Sequence, residues 1–393
     1  MKAVFNHIKG DKVIWIIVLL LSVVSILAVY SSVITLAYRS RSGDATYFLI
    51  KHVIILLFGF LLIYVTHNIK YTYYSRIFQI GLILSVPLLL FTLLKGVNEG
   101  SASRWLQIPG LGLTFQTSDF AKLALIVYIA RTLTLLQDEM QDLKKGLLHI
   151  TLPILVICGL IFPSNISTAG LLFINCMFIL FIGRASAKLI FSTLGIAFAG
   201  GALFILIVFA FPHINNRIST AKARIESYVR GDKSSNYQSD QAMIAIATGG
   251  TFGKGPGNST QKNILPQASS DFIYAILVEE YGFVMAIGMV FLYLALLFRG
   301  ARIATRNPKT FGSLLAIGLT LSLVMQAMVN MCVAIHLLPV TGQPLPLVSM
   351  GGTSIWFSSI AIGVILSVSR ETEPEAVSDS ETNKQAKNIV ATT

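Results

Sequence analysis

The stretch that decides the fold runs from Val13 to Tyr38, VIWIIVLLLSVVSILAVYSSVITLAY, 26 residues without one charged side chain. A helix of that length is longer than the roughly 30 Å of hydrocarbon in a bilayer. Comparable runs recur at Tyr47–His67, Tyr74–Leu94, Asp119–Leu136, Leu147–Phe162, Thr168–Gly183, Leu189–Phe211, Asp271–Arg299, Thr310–Leu338 and Ser349–Ser369. Such repetition excludes a signal peptide or a lone anchor as the explanation. The fold class expected is an all-α polytopic membrane protein of about ten transmembrane helices. A large extracytoplasmic loop, residues 213–270, joins helices seven and eight.

Composition agrees. With 54% hydrophobic and 12% charged residues among 393, the chain has too little polar surface to coat a soluble globule. Basic residues in the short connections set the orientation. Lys2, Lys9, Lys12, Lys70, Lys144, Lys145, Arg184, Lys188, Arg299, Arg302, Arg306, Lys309 and Arg370 fall on one side of a ten-span chain, so both termini are expected in the cytoplasm. The net charge of +12 reads as a basic cytoplasmic rim and not as a nucleic-acid surface. Cys158, Cys176 and Cys332 lie in apolar runs without metal-ligand spacing and are expected to be packing residues. Residues 1–370 form the membrane domain. From Glu371 to residue 393 the chain turns acidic and polar, the composition of a disordered cytoplasmic tail.

Polar chemistry gathers in two outward segments, Lys95–Ser118 and the loop His213–Ser270. The loop carries seven basic residues, among them Arg217, Arg224, Lys254 and Lys262, against three acids. That balance suits an anionic headgroup, although on charge alone lipid phosphates at the bilayer surface are the favoured explanation. Within the loop, Gly249-Gly250-Thr251-Phe252-Gly253-Lys254-Gly255-Pro256-Gly257 is a candidate phosphate cradle or a flexible turn. It is not a Walker A loop, because Gly249 and Gly253 stand one residue too close and Gly255 replaces the magnesium-binding hydroxyl. Asp271 follows at the membrane edge, as a helix cap or a reactive carboxylate. Glu279 and Glu280 come about two turns deeper; at 100° per residue they lie roughly 80° and 180° around the helix from Asp271, so a structural ion pair is expected for at least one. Asp119 and Lys122, three apart, share a helix face and can neutralise each other. Pro339, Pro344 and Pro346, with Gly342, Gly351 and Gly352, predict a broken, re-entrant segment lining a polar cavity before the last span.

Three of these stretches, in this order and spacing, carry a family resemblance over residues 10–370. They are Arg104-Trp105 with Gln116-Thr117-Ser118-Asp119-Phe120-Ala121-Lys122; Ala247 to Gly282; and Leu338-Pro339-Val340-Thr341-Gly342 through Gly351-Gly352-Thr353-Ser354. The chain resembles the SEDS family of shape, elongation, division and sporulation proteins, typified by FtsW, RodA and SpoVE. The resemblance implies a peptidoglycan glycosyltransferase that polymerises lipid II on the outer face of a bacterial cytoplasmic membrane, most like the FtsW branch of the division septum. It implies Asp271 as general base. Arg104, Trp105, Arg217, Arg224, Lys254, Lys262, Ser349, Gly351 and Gly352 are the implied substrate contacts, and Asp119 with Lys122 a structural or allosteric pair. The implied partners are lipid II, a class B penicillin-binding transpeptidase and divisome membrane proteins. No cofactor is required by the sequence, and magnesium or manganese is the candidate helper for the pyrophosphate. Departures from the family pattern are Thr117-Ser118-Asp119 for Pro-Ser-Glu, Asn165 for an acid, and Gln267 and Ser269 for Glu and His. A lipid II flippase and a non-catalytic scaffold for the transpeptidase are the competing readings. A flippase working by alternating access is expected to show repeated halves, and none is evident.

Overall fold

The computed structural model describes residues 10–39, 45–99, 102–108, 113–137, 142–210, 237–265 and 268–390. Its helices are α1 Lys12–Arg39, α2 Ala45–Asn68, α3 Tyr71–Lys95, α4 Thr117–Leu135, α5 Leu143–Ile161, α6 Ile166–Ile182, α7 Ala187–Ala210, α8 Tyr237–Gly249, α9 Ile273–Arg306, α10 Thr310–Ala334 and α11 Gly352–Val390. Each apolar run of the sequence lies on one of these, with α8 added inside the large loop. Seven of the helices are long and apolar enough to cross a membrane by length and composition. α6 and the apolar part of α7 are shorter, and α4 carries Asp119, Lys122 and Arg131.

α4, α10 and α11 form the centre. α4 touches α3, α6 and α10, while α11 packs on α2, α10 and the sheet described below. Around them the outward faces are apolar side chains that water would penalise: Ile83 is 75% exposed, Phe198 76% and Phe291 68%. Lipid is the solvent such a surface requires. At one end of the bundle Asp11 caps α1, accepting from the amides of Val13 and Ile14 at 2.9 and 3.3 Å. Its other oxygen pairs with Arg299 of α9 through Nε at 2.7 Å, and its amide donates to Ser369 Oγ of α11 at 3.0 Å. The start of α1 and the Ser369 region of α11 therefore lie at the same end.

One expectation is corrected. The fold is not wholly α-helical, because the outward segment after α3 is a three-stranded antiparallel meander, β1 Val97–Glu99, β2 Ala102–Ile108 and β3 Leu113–Gln116. Trp105 pairs with Gln116 and Ile108 with Leu113. Such strands are too short to signal themselves by alternation, and they are stabilised by docking: the Gln116 amide donates to Thr353 Oγ1 at 3.1 Å, and the Phe115 ring packs on Phe120 and Phe357. The backbone of α11 runs as helix from Gly352 to Val390.

The re-entrant segment between α10 and α11 has no regular structure across Leu338–Gly351 apart from a single turn. Prolines lack the amides that would build a helix there, and its carbonyls need donors from elsewhere. Four side chains on three helices supply them. Asn330 of α10 donates to Gln343 O at 2.7 Å, Gln326 of α10 to Pro344 O at 2.9 Å, Tyr293 of α9 to Pro346 O at 2.6 Å and Ser25 of α1 to Val348 O at 2.8 Å. His52 of α2 backs Ser25 at 2.8 Å.

Candidate active site

Asp271 stands just ahead of α9, half-buried, in a turn between the large loop and the helix. The cap position of α9 falls on Phe272, whose side chain makes no capping bond. The turn is stapled to the re-entrant segment. Ser349 Oγ donates to Ser270 O at 2.6 Å, the Met350 amide donates to Ser269 O at 2.9 Å, and Asn330 Nδ2 donates to Asp271 O at 2.8 Å. α10 and the segment before α11 thus converge on the turn Ser269–Asp271 at the loop end.

The Asp119–Lys122 pair joins the same network. Lys122 Nζ lies 3.4 Å from Asp119 Oδ1 and donates to Gln326 Oε1 at 2.8 Å, and Gln326 in turn holds Pro344 O. The shorter Asp side chain leaves a long ion pair, and Gln326 supplies the lysine's better contact. Asp119 and Lys122 line a cavity of about 20 Å³ with Ser354, Phe357 and Ser358. Gln343, which sequence reasoning passed over, donates through Nε2 to Thr168 Oγ1 and brings α6 into the network. Asn165, where the family carries an acid, caps α6 by accepting from the Thr168 amide at 3.2 Å.

The glycine-lysine stretch proves to be a cradle filled from within the chain. Glu279, fully buried, accepts from Lys254 Nζ at 2.5 Å, Thr260 Oγ1 at 2.8 Å, the amides of Thr260 and Gln261 at 3.1 and 3.2 Å, and Ser259 Oγ. Glu280 accepts from the Ser259 amide at 3.3 Å and from Ser31 Oγ of α1. Main-chain bonds zip the stretch to α9: Lys254 N to Glu279 O at 3.0 Å, Gly255 N to Glu280 O at 2.9 Å and Phe283 N to Gly250 O at 2.9 Å. These approaches require glycine. A Cβ on Gly253, at φ +82°, would stand 2.2 Å from Glu280 O, and one on Gly282, where α9 breaks at φ +75°, would stand 2.3 Å from Thr251 O.

Several expected substrate contacts have partners within the chain. Lys254 pairs with Glu279, and Lys262 is buried with its Nζ donating to Gly257 O at 2.5 Å. The Ser349 hydroxyl accepts from the Leu345 amide at 2.7 Å while it donates to Ser270 O. Gly351 stays half-buried beside Gly352, which opens α11, and Trp105 is half-buried on β2. Arg104 lies on β2 with its side chain outside the described residues, as are Arg217 and Arg224 entirely. Among the described residues no three His, Cys, Asp or Glu side chains come together.

A profile of the family described as "Cell cycle protein", covering FtsW, RodA and SpoVE, matches residues 11–374. The chain is 32% identical to the probable peptidoglycan glycosyltransferase FtsW of Trichlorobacter lovleyi over 93% of this chain and 94% of that one. It is 31% identical to stage V sporulation protein E of Bacillus subtilis over 92% and 97%. Among solved structures, the rod shape determining protein RodA of Thermus thermophilus superposes with a TM-score of 0.66 at 21% identity, over 93% of this chain and 99% of that one. A chain from a structure described as "Structural coordination of polymerization and crosslinking by a peptidoglycan synthase complex" superposes with a TM-score of 0.69 at 22% identity, over 92% and 98%. The arrangement of helices around the re-entrant segment is that of these structures, and the chain belongs to the FtsW/RodA/SpoVE family of multi-pass membrane proteins.

Proposed function

We propose that this chain is a peptidoglycan glycosyltransferase that polymerises lipid II at the outer face of the cytoplasmic membrane, with Asp271 as general base. Relatives named peptidoglycan glycosyltransferase support the reaction class. The observation that carries the residue is the convergence of α10 and the re-entrant segment on the turn Ser269–Asp271, with Asn330 holding the Asp271 carbonyl. In the proposed step the acceptor sugar's 4-hydroxyl oxygen bonds to the donor's anomeric carbon while the bond from that carbon to undecaprenyl pyrophosphate breaks. The hydroxyl proton passes to the Asp271 carboxylate. Pyrophosphate departs with the electron pair, and its charge requires cations. With Lys254 and Lys262 committed internally, Arg104, Arg217 and Arg224 are the proposed source, and a divalent ion would come with the substrate. Trp105, Gly351 and Gly352 are proposed to border the sugar and lipid.

Ten spans with both termini cytoplasmic are the proposed topology, supported by the meeting of Asp11, Arg299 and Ser369 at one end and by the basic residues there. FtsW-named relatives support a division role at the septum, with a class B transpeptidase and divisome proteins as partners. The test is polymerisation of lipid II by the purified chain with its cognate transpeptidase, wild type against Asp271→Ala. Polymer from wild type alone supports the proposal. Equal polymer from both rejects the base, and transport or partner binding without polymer from either favours the flippase or scaffold.

A further inference from the structure

Asp271 lies ahead of α9, whose first turn has Ala275 N donating to Phe272 O at 3.0 Å. Asn330 of α10 supplies a side-chain donor to the Asp271 carbonyl. Its side chain is 1% exposed, and its amide nitrogen, with two hydrogens to give, donates to two main-chain oxygens: Asp271 O at 2.8 Å and Gln343 O at 2.7 Å. Gln326, one turn earlier on the same face of α10, donates to the next carbonyl of the re-entrant segment, Pro344 O, at 2.9 Å. Two amides on one rigid helix therefore grip consecutive carbonyls of a proline-interrupted strand, and one of them forks across to the residue proposed as base.

We infer that Asn330 is a positioning residue for the reaction: its forked amide fixes the main chain of Asp271 against the re-entrant segment and so sets where the carboxylate stands. The inference rests on the general-base reading of Asp271 and adds to it the residue that holds the base in register. A neutral double donor suits the task. A carboxylate at 330 would face two carbonyl oxygens with no hydrogen to give, and an aliphatic side chain would leave both buried carbonyls unpaired. Gln326 links the same grip to Lys122 and hence to Asp119, so the inference also gives that ion pair a route to the base through one helix face.

The experiment uses the full chain in complex with its cognate transpeptidase and reads lipid II polymerisation as kcat and KM, alongside thermal melting. Asn330→Leu is expected to lower kcat by about 10- to 100-fold with KM for lipid II within about twofold of wild type, since a displaced base costs rate and not binding. Asn330→Asp supplies the second readout and covers the case in which Asn330→Leu does not fold. Burial between two carbonyls raises the pKa of the new carboxyl, so at lower pH it is neutral and gives one hydrogen bond; as pH rises it ionises and gives none. Its activity relative to wild type is therefore expected to fall between pH 6 and pH 8.5. Wild-type kcat in Asn330→Leu, or a ratio for Asn330→Asp that does not change with pH, overturns the inference. If Asp271→Ala polymerises normally, it is the base assignment that fails, whatever the Asn330 variants do.

Discussion

Replacing Glu279 by glutamine should release the large loop from α9. Glu279 is fully buried and accepts from five donors, four of them side chains or amides of Ser259, Thr260 and Gln261. In the orientation that keeps oxygen towards Lys254 and Thr260, the new NH₂ faces Ser259 Oγ and the Gln261 amide. Serine can rotate to accept, but the amide cannot, and an orphaned buried N–H costs roughly 1–3 kcal/mol. The bonds to Lys254 and Thr260 lose their charge assistance, about 1 kcal/mol each. Lys254 recovers part of that from water, since its side chain is 29% exposed. The total is about 3 kcal/mol, at the lower end of the roughly 3–5 kcal/mol that follows breaking of a buried pair. The other amide orientation turns a donor towards three donors and is worse. The assay is thermal melting of the full chain in nanodiscs with limited proteolysis across residues 250–265. Glu279→Gln and Lys254→Met should each lower the melting temperature and expose that stretch, and the double variant should lose less than the sum, because the pair is coupled. If Lys254→Met instead raises KM for lipid II tenfold with melting and protease resistance unchanged, Lys254 is a substrate ligand and the internal cradle is misread.

Gly253→Ala should disrupt the same docking by backbone collision and by at least about 1–3 kcal/mol of strain at a positive φ, seen as cleavage of the loop in the folded chain. Asp11→Ala removes the α1 cap and the partner of Arg299 together, and should lower the melting temperature while leaving KM for lipid II unchanged, since the contact lies at the opposite end from Asp271. Lys122→Met should be more damaging than Asp119→Asn: the first strips Gln326 of its donor and leaves a buried carboxylate unpaired, whereas the second keeps the Lys122 bond to Gln326, an order that melting curves of the two variants can check.

What could be read from the sequence follows the range of the interaction. The spans were legible because each apolar run answers to lipid alone, and Asp119 with Lys122 because three residues on a helix are neighbours wherever the helix goes. The broken segment before α11 was legible because proline forbids the alternative. The partners of the glycine-lysine stretch are hidden for the complementary reason. The anion that Lys254 holds is Glu279, 25 residues on and carried by α9. Helical geometry places Glu279 and Glu280 on different faces from Asp271, which is consistent with their serving the loop. The partners of Ser349 are hidden likewise, since they belong to the loop end and to the turn before it. The three strands near Trp105 gave no signal because their register is set by docking on Thr353 and Phe357, residues more than two hundred positions away. Asn330 and Gln343 were invisible: an amide in an apolar span looks alike whether it grips one carbonyl or two.

The most direct test of the account is the rate of glycan polymerisation by Asp271→Asn, an isosteric change that removes the carboxylate's basicity while leaving the main-chain bonds from Asn330, Ser349 and Met350 available. Measured with lipid II on the full chain in complex with its cognate transpeptidase, the variant should bind its partner and melt like wild type yet lose at least about 100-fold in kcat, the least a positioned general base supplies. Polymer formed at the wild-type rate would contradict the assignment of Asp271 as the base.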